Sequence, residues 1–398
     1  MTNAISHASP PEQESLPRVD LRTFSFSPSI YPGMIRPAGS GIAPGSLVRV
    51  YDRNGDPFGC GFYNRRARAP LRMFHHGPEV VGEDVLDQLV ERAIELRRQY
   101  VKADESTTAW RVVFSDADQL PGFTVDKFGD TLSVEITTLA AWQRLPRWLP
   151  LLHEACGTHR HHVACDPAIA SMEGIKGAPP PSPPAASARF VEHGIRYEAR
   201  FRDGHKTGFF CDQRENRLRL ARWVDGRPML DLCCYTGGFS LAAKLIGGSD
   251  DVTAVDLDEK AIVQARRNAN LNQTRLDLVH ADAFTWLRQM IQNGRSWPVV
   301  VLDPPKFVFH RDDLDDARRK YEDLNRLALS VLEPGGLFVT CSCSGQLAPH
   351  LFEQSVIRAA HRARRRLRIL DSTGAGPDHP VASNSPETRY LKVIWARA

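Results

Sequence analysis

The sequence has no run of about 18 consecutive apolar residues, and its opening, MTNAISHASPPEQESLP, has neither a basic start nor an apolar stretch. The expectation is a cytoplasmic protein with no membrane span and no secretion leader. Cysteines are too few and too scattered for a disulfide framework: of eight, only Cys233 with Cys234 and Cys341 with Cys343 lie close together. No C-x-x-C pair occurs, so no metal site is expected and the thiols should be reduced. A strong excess of one charge is also missing, since +4 over 398 residues does not by itself imply a nucleic-acid partner. What is present is a globular composition, 42% hydrophobic and 25% charged, on a chain long enough for two or three domains.

Charge distribution says more than its sum. Between Phe62 and His75 lie Arg65, Arg66, Arg68 and Arg72 with no acid, interleaved with Tyr63 and Phe74, a mixture suited to phosphate contact and base stacking. A second run between Ile357 and Ile369 holds six arginines and no acid. Each alone reads equally well as a solvated face, and together they favour an anionic partner.

Four segments follow in order. Residues 1–18 are polar and proline-rich, and disorder is predicted there. SLVRVYDRNGDPFGCGFY predicts two strands about a turn at Asn54 and Gly55, with APLRMF continuing them, giving a small β domain over 19–76. Over 77–187 an amphipathic helix at 82–101 and three strands within WRVVFSDADQLPGFTVDKFGDTLSVEIT predict an α+β unit, closed by the proline-rich GAPPPSPPAASA. From 188 to 398 strands alternate with helices, at 229–234, 252–256, 276–279, 298–302 and 336–341, which predicts a parallel sheet covered on both faces. RLRILDS and RYLKVIWA then read as two strands without a helix between them, the last of them antiparallel. Seven strands with that tail resemble the Rossmann-like α/β sheet of the class I methyltransferases.

Ligands of doubly wound sheets sit at the carboxyl ends of the strands. There MLDLCCYTGGFSLAA supplies Asp231, Tyr235 and a glycine turn at Gly237 and Gly238, without the G-x-G-x-x-G spacing of dinucleotide sites. Asp256, 19 residues beyond Gly237, ends the next strand, where it could accept ribose hydroxyls, and Asp282 follows the third, facing an adenine amino group. Acids in this order suit S-adenosylmethionine, a sulfonium cation with no phosphate. After the fourth strand, LDPPKF places Asp303, Pro304, Pro305 and Lys306 where a planar base would meet the transferable methyl. The fifth strand ends in TCSCSG. Carbon 5 of cytosine is a poor nucleophile until a thiolate adds at carbon 6, so a cysteine at this strand end points to carbon methylation. Alternation puts Cys341 and Cys343 on one side and Ser342 and Ser344 on the other, leaving both thiols as candidates.

From about Ser46 onward the chain resembles the bacterial cytosine-C5 methyltransferases of large-subunit ribosomal RNA that carry an N-terminal PUA-like domain. GFTVDKFGD (122–130), GHKTGFFCDQRENR (204–217), LDLCCYTGGFSLAA (230–243), LDPPKF (302–307), SCSG (342–345), DHPV and RYLK carry the resemblance. It implies that Cys343 is the nucleophile, that Asp303 contacts both the cytosine and the cofactor region, and that Asp212, Gln213 and Arg214 lie beside the cofactor. It further implies that the β domain is PUA-like, and the acid-free arginine run makes Arg65, Arg66 and Arg68 the expected RNA contacts on it. Lys306 stands where many RNA cytosine methyltransferases hold a second, product-releasing cysteine. Methylation of a guanine or adenine nitrogen, with Asp303 and the two prolines sufficient, remains an alternative, as does an idle RNA-binding protein. Monomer and homodimer both stay open.

Overall fold

The computed structural model describes residues 16–39, 41–101, 103–201, 207–308 and 313–398. The predicted disorder at 1–18 falls almost wholly outside them, although Arg18 already opens the first strand. Strands β1 (Arg18–Asp20), β2 (Ser29–Ile30), β3 (Ser46–Tyr51), β4 (Pro57–Tyr63) and β5 (Leu71–His76) form one sheet in the order β1-β3-β4-β5-β2. The predicted meander is its centre, and the two short flanking strands are too brief to show a period. Tyr63 and Phe74 are buried, the latter stacked on Phe62 at 4.9 Å, so they serve the core and cannot stack on bases as their interleaving suggested. Arg65, Arg66 and Arg68 are exposed on the loop between β4 and β5.

Helix α1 (Glu83–Tyr100) leads into a second sheet of β6 (Ala109–Phe114), β7 (Phe123–Phe128), β8 (Thr131–Ile136) and β9 (Arg160–Ala164), ordered β6-β7-β8-β9. Between β8 and β9 runs α2 (Leu139–Cys156), a helix despite its internal Pro146 and Pro150. Burial of Leu145, Trp148, Leu149 and Leu152 against the sheet outweighs the two lost backbone donors. The short α3 (Pro167–Glu173) follows, and the proline-rich stretch then lies along β9, where Ser182 Oγ accepts from His161 N at 2.8 Å. A hairpin of β10 (Ser187–Glu192) and β11 (Ile195–Arg200) packs Phe190 and Tyr197 in one cluster with Phe128 of the second sheet and Leu241, which lies on a helix covering the third.

The third sheet has seven strands. They are β12 (Met229–Leu232), β13 (Val252–Asp256), β14 (Asp277–His280), β15 (Trp297–Leu302), β16 (Leu332–Ser342), β17 (Arg368–Thr373) and β18 (Lys392–Arg397), ordered β14-β13-β12-β15-β16-β18-β17. Only β18 runs antiparallel to its neighbours, as its missing crossover helix predicts. Helices α4 (Arg214–Val224), α5 (Gly238–Leu245), α6 (Glu259–Leu271), α7 (Ala283–Gln292), α8 (Leu314–Ser330) and α9 (Pro349–Arg362) cover its faces. The inner strands are buried on both sides, which explains why VVVL at 299–302 shows no polar alternation. The order reverses between β12 and β15, so their carboxyl ends frame the crevice of a doubly wound sheet. The second arginine run lies at the opposite end, where Arg368 pairs with Arg397 beside the start of the parallel strands. There Arg362 is taken by Glu322 and Asp323, and Arg365 donates to the Leu332 carbonyl, while Arg358, Arg364, Arg366 and Arg368 are exposed.

Candidate active site

The chain turns sharply as it leaves β12. Cys233, Tyr235 and Gly237 all take positive φ, at 59°, 49° and 81°, and Gly237 sets the start of α5. Only glycine adopts such a φ without strain, so two side-chain-bearing residues held there mark a turn fixed by its surroundings. Asp256 does the holding: its Oδ2 accepts from Tyr235 N and its Oδ1 from Asp258 N, each at 2.8 Å. Asp231 is fully buried and accepts from Ser240 N at 3.1 Å and Ser240 Oγ at 2.6 Å. Its other oxygen is enclosed without a partner, and burial pushes the carboxyl up to about 7. Asp282 caps α7, accepting from Thr285 N and Oγ1 at 2.9 Å. All three predicted acids therefore stand at successive strand ends, each also with a structural task. An orphaned buried carboxylate oxygen beside a backbone-lined turn fits a cationic amino-acid ligand rather than a phosphate. Asp231, Tyr235, Gly237, Asp256 and Asp282 are placed so that they could hold S-adenosylmethionine.

Across the crevice Asp303 follows β15. Its backbone N–H donates to the Leu232 carbonyl at 3.1 Å, and its Oδ2 accepts from Gln213 Nε2 at 3.0 Å. Enclosure and the neighbouring Asp212 raise the carboxyl to about 7, so near neutrality it can carry a proton. Pro304 is buried, whereas Pro305 and Lys306 are exposed.

The segment beginning at Thr207 is tied down residue by residue; the three residues before it in the GHKTGFF motif lie outside the described residues. Thr207 donates to Asp126, Tyr390 to Asp212, and Arg214 to Asp378. Gln213 is itself steadied, its Oε1 accepting from Asn216 at 2.7 Å, and Arg217 makes a buried two-pronged pair with Glu192 at 2.6 Å. The DQR triplet therefore aims Gln213 at Asp303 and joins three parts of the chain.

The end of β16 supplies the sulfurs. Cys341 is fully buried against Gln213 and Asp303, and burial pushes its thiol well up; Cys343 is half-buried at the strand terminus. On the opposite side Ser342 and Ser344 meet the Tyr321 hydroxyl at 3.1 and 2.9 Å, as alternation predicted. Lys392, opposite Ser342 in the ladder, is buried there and donates to the carbonyls of Ser344 and Tyr390 at 2.6 and 2.7 Å. Burial lowers its ammonium to about 8, while interaction with Cys343 works the other way. Lys392 is thus an ammonium that interacts with Cys343 from the neighbouring strand, and Lys306 is exposed after β15. RYLK was visible as a motif, but only the β16–β18 ladder reveals what its lysine does.

The family described as S-adenosylmethionine-dependent methyltransferase matches residues 157–385, and a PUA-like domain matches 18–76. Ribosomal RNA large subunit methyltransferase I of Photobacterium profundum is 33% identical over 370 residues, covering 90% of this chain and 92% of its own. That of Aeromonas hydrophila is 34% identical, covering 89% and 91%. The chain belongs to this S-adenosylmethionine-dependent methyltransferase family. In fold it is similar to SMU.776, solved in complex with SAH (TM-score 0.80, 18% identity, 96% of this chain and 100% of that one). A SAM-dependent methyltransferase structure from Streptococcus mutans is as similar (TM-score 0.79, 19% identity, 96% and 100%). The expected α/β class I fold with a PUA-like β domain and the expected cofactor are borne out. Among the described residues no helix is long and apolar enough to cross a membrane.

Asp256 carries the sharpest expectation for the cofactor. Asp256→Ala should weaken S-adenosylmethionine binding by about 1 to 3 kcal/mol, the cost of leaving buried hydroxyls unpartnered. Calorimetry decides, with circular dichroism confirming the fold; unchanged affinity in a folded variant removes Asp256 from the site.

Proposed function

We propose that the protein methylates carbon 5 of a cytosine in large-subunit ribosomal RNA, through a covalent bond between Cys343 and carbon 6. One arrangement carries the reading: a half-exposed thiol at the end of β16, with a buried ammonium on one side and, across the crevice, a carboxyl raised far enough to carry a proton near neutrality. Lys392 supplies the positive charge that favours a Cys343 thiolate. As that thiolate bonds carbon 6, negative charge develops towards N3 of the ring, and Asp303 delivers a proton there. When bound, S-adenosylmethionine supplies the electrophilic methyl group that the resulting enamine carbon takes up. Loss of the carbon 5 proton to a base then expels Cys343 as the thiolate, the N3 proton returns to the Asp303 carboxylate, and the aromatic ring is restored. Cys341, enclosed and held protonated, shapes the wall beside Asp303. In this reading residues 19–76 are the RNA module, 77–187 the spacer unit and 188–398 the catalytic unit, working in the cytoplasm where the ribosome is.

RNA carrying 5-fluorocytosine at the target should trap a covalent complex, because fluorine cannot leave as a proton. Denaturing electrophoresis reads this directly; absence of an adduct under conditions that methylate ordinary RNA rejects the cysteine route.

The acid has its own signature. Turnover should decline above pH 7 as Asp303 loses its proton, even though the thiolate fraction rises. Asp303→Asn should cost about 100-fold in rate and erase that alkaline decline. A variant that keeps the parent's alkaline limb assigns the limb to another group.

The exposed Arg65, Arg66 and Arg68 should each release about one counterion on meeting a phosphate. Replacing all three with alanine should weaken RNA binding and flatten its salt dependence while leaving cofactor affinity alone. An unaltered salt slope makes the loop a solvated surface only.

A further inference from the structure

The phenylalanines of this chain are buried or half-buried among the described residues except for two, Phe24 and Phe26, which are 56% and 53% exposed. They sit side by side on the segment between β1 and β2, ring centroids 4.8 Å apart and perpendicular. Phe58 braces both, at 5.1 and 5.7 Å, and His76 closes the cluster at 5.4 Å from Phe26 and 5.5 Å from Phe58. Open ring faces packed edge-on against neighbouring rings are what an unpaired base needs in order to stack.

Position and charge both favour nucleic acid as the occupant. The Phe26 carbonyl accepts from Asn384 Nδ2 at 3.0 Å, across 358 residues of sequence. Asn384 belongs to a turn closed by the Ala382–Ser385 bridge and by Thr388, whose hydroxyl donates to the Ser385 carbonyl at 2.6 Å. The far side of that turn, the Glu387 carbonyl, lies 3.3 Å from where a Cβ on Gly345 would be, two residues beyond Cys343. One short turn therefore spans from the aromatic cluster to the end of the strand that bears the thiol. Just beyond β1 an isolated bridge pairs Leu21 with Ile35, and beside it Arg22 and Arg36 are exposed, Arg36 donating to the Arg53 carbonyl at 2.9 Å, while nearby Asp20 is already taken by Arg18.

We propose that Phe24 and Phe26, braced by Phe58 and His76, form a stacking platform for unpaired RNA bases flanking the target cytosine, so that the substrate is read as a single strand. This rests on the RNA reading above and adds the form of RNA that is bound.

The test uses the full chain with a 15-nucleotide oligocytidylate and, separately, an RNA duplex of similar length, both followed by fluorescence anisotropy. Phe24→Ala with Phe26→Ala should weaken single-strand binding by about 10-fold or more and leave duplex binding unchanged, since base-on-ring stacking is lost while the arginines stay. Phe24→Tyr with Phe26→Tyr should restore it, and Phe24→Leu with Phe26→Leu should not, which separates stacking from mere apolar area. Equal losses for both RNAs, or full rescue by leucine, overturn the platform. So does a parent protein that sediments as a dimer and becomes monomeric in the alanine variant, because the rings then seat a second copy. The binding measurements stand even if no methyl reaches ribosomal RNA, so failure of the platform and failure of the enzymatic reading are told apart.

Discussion

Cys343→Ala should abolish methyl transfer to RNA while S-adenosylmethionine still binds, and Cys341→Ala should keep substantial activity. The two thiols lie two residues apart on one strand, yet their surroundings differ. Cys341 is sealed beneath Gln213 and Asp303, where a thiolate would be a second buried negative charge beside a carboxyl. Cys343 is half-exposed and shares its strand end with the Lys392 ammonium, which favours the ionised form. An ordinary thiol, with a pKa of about 8.5, is mostly protonated at neutral pH, so that charge matters. Removing the nucleophile deletes the covalent step, and the expected loss is at least about 1,000-fold because direct attack by carbon 5 is not competitive. Labelled methyl transfer to ribosomal RNA measures it. A Cys343→Ala protein with near-parent turnover, or a Cys341→Ala protein that is dead though folded, reverses the assignment.

Asp378→Ala should destabilise the fold by about 3 to 5 kcal/mol, the usual cost of leaving one partner of a buried ion pair behind. Asp378 Oδ2 accepts from Arg214 Nη1 at 2.8 Å and from the Arg111 N–H at 3.0 Å, His379 Nδ1 meets Oδ1 at 3.1 Å, and the Asp378 carbonyl takes a bond from Arg97 at 2.8 Å. One residue thereby joins α1, β6 and α4. Burial alone would raise the carboxyl, but His379 and Arg214 outweigh it and hold it well below the ordinary range. A depressed carboxyl contributes stability that is present above pH 4 and lost as the pH falls through the unfolded value and on towards the folded one. Denaturant unfolding should therefore show the gap between parent and variant to be full at pH 7 and narrowing on acidification below about pH 4. A variant within about 0.5 kcal/mol of the parent at pH 7 would show that the buried arginines are satisfied elsewhere.

Local features of the site were legible in the sequence because the sheet's chemistry is periodic. Asp231, Asp256 and Asp282 could be read from strand ends alone, and the split of Cys341 and Cys343 from Ser342 and Ser344 followed from alternation. What closes the site was not legible. Lys392 reaches Ser344 across 48 residues, Gln213 reaches Asp303 across 90, and Arg97 reaches Asp378 across 281. No spacing rule encodes such pairs, since they depend on strand order and on how the sheets meet. The same limit explains Tyr63 and Phe74, whose mixture with arginine resembles an RNA surface until the sheet shows which side faces the core. The second arginine run has the composition of a binding surface, and only the strand order shows that it lies at the end of the sheet away from the crevice. Conversely, the exposed rings of Phe24 and Phe26 lie in a segment with no regular period, where sequence offers no means of telling exposed from buried.

Nucleoside analysis of ribosomal RNA treated with the purified protein and isotopically labelled S-adenosylmethionine tests the central claim most directly. After digestion the label should travel with 5-methylcytidine, from large-subunit RNA and at one position. Label recovered in a guanosine or adenosine methylated on nitrogen, or in no nucleoside at all under conditions where the cofactor binds, contradicts carbon methylation by Cys343.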